Sequence, residues 1–261
     1  MVQTFPNAGE MRIVMRFYVL LLVLSFVASP VKAEINSSLI LAVDYSGSYV
    51  DRRKDGEMKR LFGIVNRFLS KAAERLPNNV SFKALAISDL SSLEKPDCEA
   101  EGFSKGIFGK KVKKKGQYLV KPEKKSSGVS EFETFLSEVC IHQLLKRSEK
   151  GAGGTDISGT IDAVVTIARE ETDGPKVLVI MSDFYEYRAA GLPSFKFDLD
   201  GYRILMVYRT EYDVDANNQA KLTRKKAEEW KRRFESAGAE AVFLMDERSS
   251  KAIDKAVKEL L

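Results

Sequence analysis

The chain has 261 residues, of which 44% are hydrophobic and 30% charged. That is the balance of a folded globular protein, and it excludes wholesale disorder and collagen-like repeats. Two cysteines are too few for a disulfide-built scaffold or a four-cysteine zinc site, and the single histidine, His142, excludes any mechanism or metal site that needs two. A formal charge of only +5 does not make the whole chain a nucleic-acid binder.

Residues 1–33 read as an address. Arg12 and Arg16 form a short basic segment, and Phe17 to Val27 is an uncharged apolar run. A bilayer-crossing helix needs about 20 apolar residues, so this run is short for an anchor. Ser29-Pro30-Val31-Lys32-Ala33 then offers small residues to a signal peptidase. The expectation is a secretory signal peptide cleaved after Ala33, with a retained anchor as the other reading. No later run has spanning length, so no transmembrane segment is expected in the mature chain, 34–261. The protein is expected to be periplasmic or secreted.

In chain order, Ser38–Val43 is a short apolar run and reads as a buried strand. Glu57–Leu76 carries Met58, Leu61, Phe62, Val65, Phe68, Leu69, Ala72 and Leu76 at helical spacing, ended by Pro77-Asn78-Asn79. Val80–Ser88 reads as a second strand. Residues 89–128 break the rhythm as a basic insertion, expected to be an exposed hairpin or loop. Between Ser104 and Lys125 there are nine lysines against one glutamate. Ser130 with Glu133 forms a plausible capping box for a helix to about Arg147. After a glycine-rich loop, a helix is expected at Ser158–Glu170. Lys176–Ser182 and Tyr202–Tyr208 are continuously apolar strands. A helix near Gln219–Ala237, a short strand at Ala241–Leu244 and a last helix capped by Ser249 complete the chain.

Strands alternate with helices, and continuously apolar strands imply burial on both faces. The fold expected is α/β: a doubly wound, mainly parallel sheet flanked by helices, with the lysine-rich insertion. Sites in such sheets form beyond the carboxyl ends of strands. Three segments lie there: Asp44-Tyr45-Ser46-Gly47-Ser48 after the first strand, Gly154-Thr155-Asp156 before a helix, and Asp183 after the 176–182 strand. Asp44 and Asp183 offer carboxylates, and Ser46, Ser48 and Thr155 offer hydroxyls. An all-oxygen set suits a hard divalent cation: Mg²⁺ foremost, with Mn²⁺ or Ca²⁺ as alternatives. The competing reading is that the aspartates only brace turns and helix ends. Asp156 is expected to cap a helix or brace the loop rather than hold the metal.

The order DxSxS, loop threonine, then aspartate after an apolar strand resembles the metal-ion-dependent adhesion site of von Willebrand factor type A domains. The match runs through Asp44, Ser46 and Ser48, then Thr155, then Asp183, and extends over nearly the whole mature chain. The resemblance implies a binding module. Ser46, Ser48 and Thr155 would hold the cation directly, Asp44 and Asp183 mainly through water, and a partner protein's carboxylate would complete the shell. Asp183 is followed by Phe184-Tyr185-Glu186-Tyr187, where many members have a glycine. The aromatics would then line the rim, or Glu186 would fill the open metal position from within.

The lysine run, Lys105 to Lys125, reads either as a solvated loop or as a contact for an anionic envelope surface. An assembly or surface factor acting through it is the alternative function, with the metal structural. Export argues against nucleic acid as its partner. Cys98 and Cys140 either bridge or remain thiols, and export favours the bridge. His142 reads as a helix-surface or packing residue. No base accompanies Ser46 or Ser48, so a serine nucleophile is not expected and the chain is read as a non-enzyme. A metal-dependent hydrolase is the remaining catalytic reading.

Overall fold

A computed structural model describes residues 35–50, 56–77, 79–88, 96–103, 132–149, 154–187, 198–209, 216–249 and 251–261. The signal segment, the lysine-rich stretch Lys105 to Lys125 and Ser130 of the expected capping box lie outside them.

Strand β1 (Ser37–Asp44) is buried along its whole length. Its odd positions, Leu39, Leu41 and Val43, enter one apolar cluster, and Ile40 and Ala42 enter another on the opposite face. The period-2 alternation of side chains thus requires helices on both faces. Helix α1 (Glu57–Arg75) covers the first face with Leu61, Phe62, Val65 and Phe68. Strand β2 (Val80–Ile87) returns parallel to β1, with Asp44 opposite Ile87.

Strand β3 (Cys98–Phe103) pairs antiparallel with β2 at the sheet edge. This corrects the expectation that residues 89–128 are one loop or hairpin outside the sheet. Cys98 and Ala100 are buried while Glu99 between them is exposed. An edge strand has one protected side, so it lacks the continuous apolar run of its neighbours.

A helix follows from residue 132, passes through a π-helical stretch (Phe135–Cys140) and continues as α2 (Ile141–Ser148). Then come α3 (Ile157–Glu171), β4 (Lys176–Met181), β5 (Tyr202–Tyr208), α4 (Ala216–Ser236), β6 (Ala241–Asp246) and α5 (Ala252–Leu260). Helix α5 is not capped by Ser249 as expected. Lys251 occupies the cap position without a side-chain bond, and Ser249 contributes only its carbonyl, to Ala252 N–H. The sheet order is β3-β2-β1-β4-β5-β6, with every pair but β2–β3 parallel. Among the described residues no helix is long and apolar enough to cross a membrane.

The strand order reverses between β1 and β4. Chain leaving β1 winds towards β2, and chain leaving β4 winds towards β5. A crevice opens at such a switch point beyond the carboxyl ends of the two strands. Here those ends carry Asp44 and Asp183.

Cys98 and Cys140 form a disulfide, with Cα atoms 5.6 Å apart and a sequence separation of 42. Both are buried. The bond ties the edge strand to the end of the π-helical stretch. Closing a loop of this length in the unfolded chain is worth about 3–4 kcal/mol on entropy grounds. A Cys98→Ala, Cys140→Ala protein is expected to lose about that much. Urea midpoints of the two proteins, each with and without a thiol reductant, check it. The reductant should lower the midpoint of the parent protein alone.

Candidate metal centre

Asp44, the last residue of β1, has no exposed surface. The chain turns directly after it. Ser46 N–H donates to Asp44 Oδ1 at 2.9 Å, and Tyr49 N–H donates to Ser46 O at 2.9 Å. A carboxylate that bonds the amide two residues on makes a tight turn without a regular element. The turn leads into a short helical turn, Gly47–Val50. It sets Ser46 Oγ and Ser48 Oγ 3.1 Å apart, so the two hydroxyls converge. Tyr45 and Tyr49 are buried and anchor the turn in the core.

The second oxygen of Asp44, Oδ2, accepts a 2.6 Å bond from Ser182 Oγ. Ser182 follows β4 and is wholly buried. Its hydroxyl also accepts from Phe184 N–H at 2.9 Å. It therefore joins the two strand ends across the switch point. Sequence reasoning absorbed Ser182 into the strand and missed this role. The available signal was a hydroxyl residue closing an apolar run directly before Asp183.

Asp183 is buried, and its Oδ1 accepts from Tyr185 N–H at 3.0 Å. The Asp44 carboxyl is pushed up from its ordinary 3.8 to about 7, first by burial and then by the charge of Asp183. The bonds from Ser182 and Ser46 oppose that rise.

Thr155 is buried just ahead of α3. Its carbonyl accepts from Tyr187 N–H at 2.9 Å, and the two residues form an isolated antiparallel bridge. Asp156 N–H donates to Ser88 O, beyond the end of β2, at 3.1 Å. The Asp156 side chain caps α3, accepting from Gly159 N–H at 2.8 Å, as its sequence position led us to expect. A Cβ on Gly159 would collide with that carboxylate, so this approach needs glycine.

The loop after Asp183 departs from expectation in two ways. Phe184 does not line the rim: its backbone is left-handed (φ 62°) and its ring is wholly buried. Tyr185 and Tyr187 are the exposed large hydrophobics among the described residues, at 40% and 76%. Glu186 directs Oε1 to Ser158 N–H at 2.7 Å, in the first turn of α3.

All five expected oxygen residues thus lie on the loops around the switch point. Hydrogen bonds join Asp44 to Ser46, Ser46 to Ser48, and Thr155 to the Asp183 loop, and charge couples Asp44 to Asp183. Among the described residues no cluster of three or more His, Cys, Asp or Glu side chains forms. A cation at this end would therefore draw on hydroxyls beside the carboxylates. That donor set fits a hard divalent ion. A cation between Asp44 and Asp183 would also offset a repulsion that burial makes costly. His142 is exposed on α2, as a helix-surface residue would be.

The chain matches no protein-family model and no curated protein. Among solved structures it is similar to proximal thread matrix protein 1 from the mussel byssus. That match has 13% identity and a TM-score of 0.44, over 86% of this chain and 47% of that one. One structure of that protein has a zinc-occupied metal-ion-dependent adhesion site motif. The pilus adhesin SpaC from Lactobacillus rhamnosus GG is similar at 10% identity and TM-score 0.42, over 87% of this chain and 30% of that one. The ArnB paralog VWA2 from Sulfolobus acidocaldarius is similar at 12% identity and TM-score 0.40, over 86% and 45%. This chain spans about half or less of the length of each. The α/β class stands on the chain's own strand order.

Proposed function

We propose that the protein is an exported binding module of the von Willebrand factor A type that recognises a partner protein through a divalent cation. Ser46, Ser48 and Thr155 would hold the cation directly, and Asp44 and Asp183 mainly through water. Mg²⁺ is the ion of choice, since a compact hydroxyl-rich set that retains water matches its small octahedral shell.

The observation that carries this reading is the buried Asp44–Asp183 pair at the switch point, beside two converged serine hydroxyls. Two mutually repelling carboxylates cost stability where they lie. Such a cost is met where a site is built for a cation. When bound, the ion supplies an electrophilic position that a partner's carboxylate can occupy. The chain's own residues do the rest. Ser182 and Ser46 N–H orient Asp44, and Tyr185 N–H orients Asp183. The exposed rings of Tyr185 and Tyr187 offer contact area beside the site, of a kind enriched at protein interfaces. The role proposed is recognition and not turnover.

The test is calorimetric titration of the chelated protein with Mg²⁺ and Mn²⁺, beside a Ser46→Ala, Ser48→Ala double variant. Saturable one-site binding is expected in the parent and is expected to vanish in the variant, with the far-UV circular dichroism of both unchanged. Equal binding by a well-folded double variant would sink the assignment of the ligands.

A further inference from the structure

We infer that Glu186 is the positioning residue that holds the two independently supplied halves of this centre, Thr155 and Asp183, in register; the inference rests on the cation reading above. Asp183 is delivered by β4, whose place is set by β1 and β5 on either side. Thr155 is held from outside the sheet, through Asp156 N–H to Ser88 O beyond the end of β2 at 3.1 Å. It lies in an irregular stretch ahead of α3, and its antiparallel bridge to Tyr187 is an isolated one. Hydrogen bonds between this stretch and the Asp183 loop include Tyr187 N–H to Thr155 O at 2.9 Å and Ser158 N–H to Glu186 Oε1 at 2.7 Å. One falls on Thr155 itself and the other three residues on, and they come from adjacent residues of the loop.

The Glu186 link is the stronger in kind. Ser158 N–H belongs to the first turn of a helix, where amides have no partner within the helix. A carboxylate there gains from a charged hydrogen bond and from the helix dipole. Asp156 already serves Gly159 N–H. The second carboxylate at this helix start is therefore brought in from the loop that carries Asp183. The left-handed Phe184 makes this possible. Its φ of 62° reverses the chain, buries the ring and returns residues 185–187 towards α3. Glu186 is accordingly occupied as a clamp on α3.

An ordinary helix cap would add stability and nothing else. A positioning residue should alter metal affinity as well, by roughly 10–100-fold when its hydrogen bond is lost. The experiment compares Glu186→Ala and Glu186→Gln in the full chain. It reads Mn²⁺ affinity by calorimetry, and amide hydrogen exchange at Ser158 and Tyr187 in chelated protein. Glu186→Ala is expected to weaken Mn²⁺ binding at least about tenfold and to speed exchange at both amides. Glu186→Gln keeps an acceptor oxygen and is expected to restore most of both. A Glu186→Ala protein that melts earlier but binds Mn²⁺ within about twofold of the parent would reduce Glu186 to a cap and overturn the inference. Loss of Mn²⁺ binding in both variants with unchanged exchange would make it a direct ligand and overturn it too. Should the parent bind no Mn²⁺, the cation reading fails, and exchange alone decides the clamp. Faster exchange in Glu186→Ala, restored in Glu186→Gln, would uphold it, and unchanged exchange would overturn it.

Discussion

Replacing Phe184 by alanine is expected to destabilise the protein by about 3–5 kcal/mol, the range for deleting a buried phenylalanine ring. The ring is wholly buried and belongs to the cluster that includes Ile87, Ile157, Ile161, Leu178 and Ile180. It packs the Asp183 loop onto the face covered by α3. Its backbone, at φ 62°, is in the left-handed region, which costs a non-glycine residue about 1–2 kcal/mol. Two terms of opposite sign therefore meet at one position. Glycine would lose the same ring and would be released from the backbone cost. Phe184→Gly should then be milder than Phe184→Ala by about 1 kcal/mol, the reverse of the usual order of these residues. Urea midpoints of the three proteins check both the size and the order. A glycine variant less stable than the alanine variant would show that the left-handed backbone is not retained. In either variant Tyr187 and Glu186 lose the packed residue that turns the loop back, so Mn²⁺ binding should weaken alongside stability.

A left-handed residue after Asp183 is the conformation glycine adopts at least cost. The sequence displayed the departure at Phe184, yet a φ angle is not readable from a residue whose type disfavours it. The exposure of Tyr185 and Tyr187 and the burial of Phe184 depend on the same hidden turn. Residue type alone made all three look alike.

The central strands were legible because each is a continuous apolar run. Tyr202–Tyr208 was read to the residue, and the others to within one or two. Strand β3 was not. With Glu99 and Glu101 alternating against Cys98 and Ala100, and a lysine-rich stretch following, its pattern is weak and short. The helix starts were read through cap residues, with mixed success. Asp156 caps α3 as its position implied. Ser249 resembles a cap in sequence, but the chain uses its carbonyl and begins α5 three residues later. The oxygen residues around the switch point were legible as residue types after strands or before a helix. Their fastening was not, because Ser182 and Glu186 act through partners 138 and 28 positions away in sequence. Contacts of that separation follow from the sheet order, which local pattern does not encode.

Asp44→Asn is expected to stabilise the metal-free protein at pH 8 while abolishing its response to Mg²⁺. Burial and the charge of Asp183 raise the Asp44 carboxyl from 3.8 to about 7. The folded metal-free protein therefore holds a proton that the unfolded chain has already released. The stabilisation linked to that proton is full below about pH 4 and is lost as pH rises through about 7. At pH 8 the pair is doubly ionised, and the penalty is on the order of a few kcal/mol. Asparagine carries no charge and can still accept from Ser46 N–H, so it removes the penalty while keeping the turn. The melting temperature of the chelated parent should fall from pH 5 to pH 8, and that of Asp44→Asn should fall less. Saturating Mg²⁺ should raise the parent's melting temperature more at pH 8 than at pH 5, because at pH 5 the ion must displace the Asp44 proton. It should leave the asparagine variant unmoved. The measurement is a set of melting curves over that pH range, with and without Mg²⁺. A variant with the parent's pH profile, or with an intact response to Mg²⁺, would refute the coupling. The expected pattern would mean that the same carboxylate weakens the empty protein and equips it to hold the ion. Instability of the metal-free state would then be a consequence of the recognition chemistry.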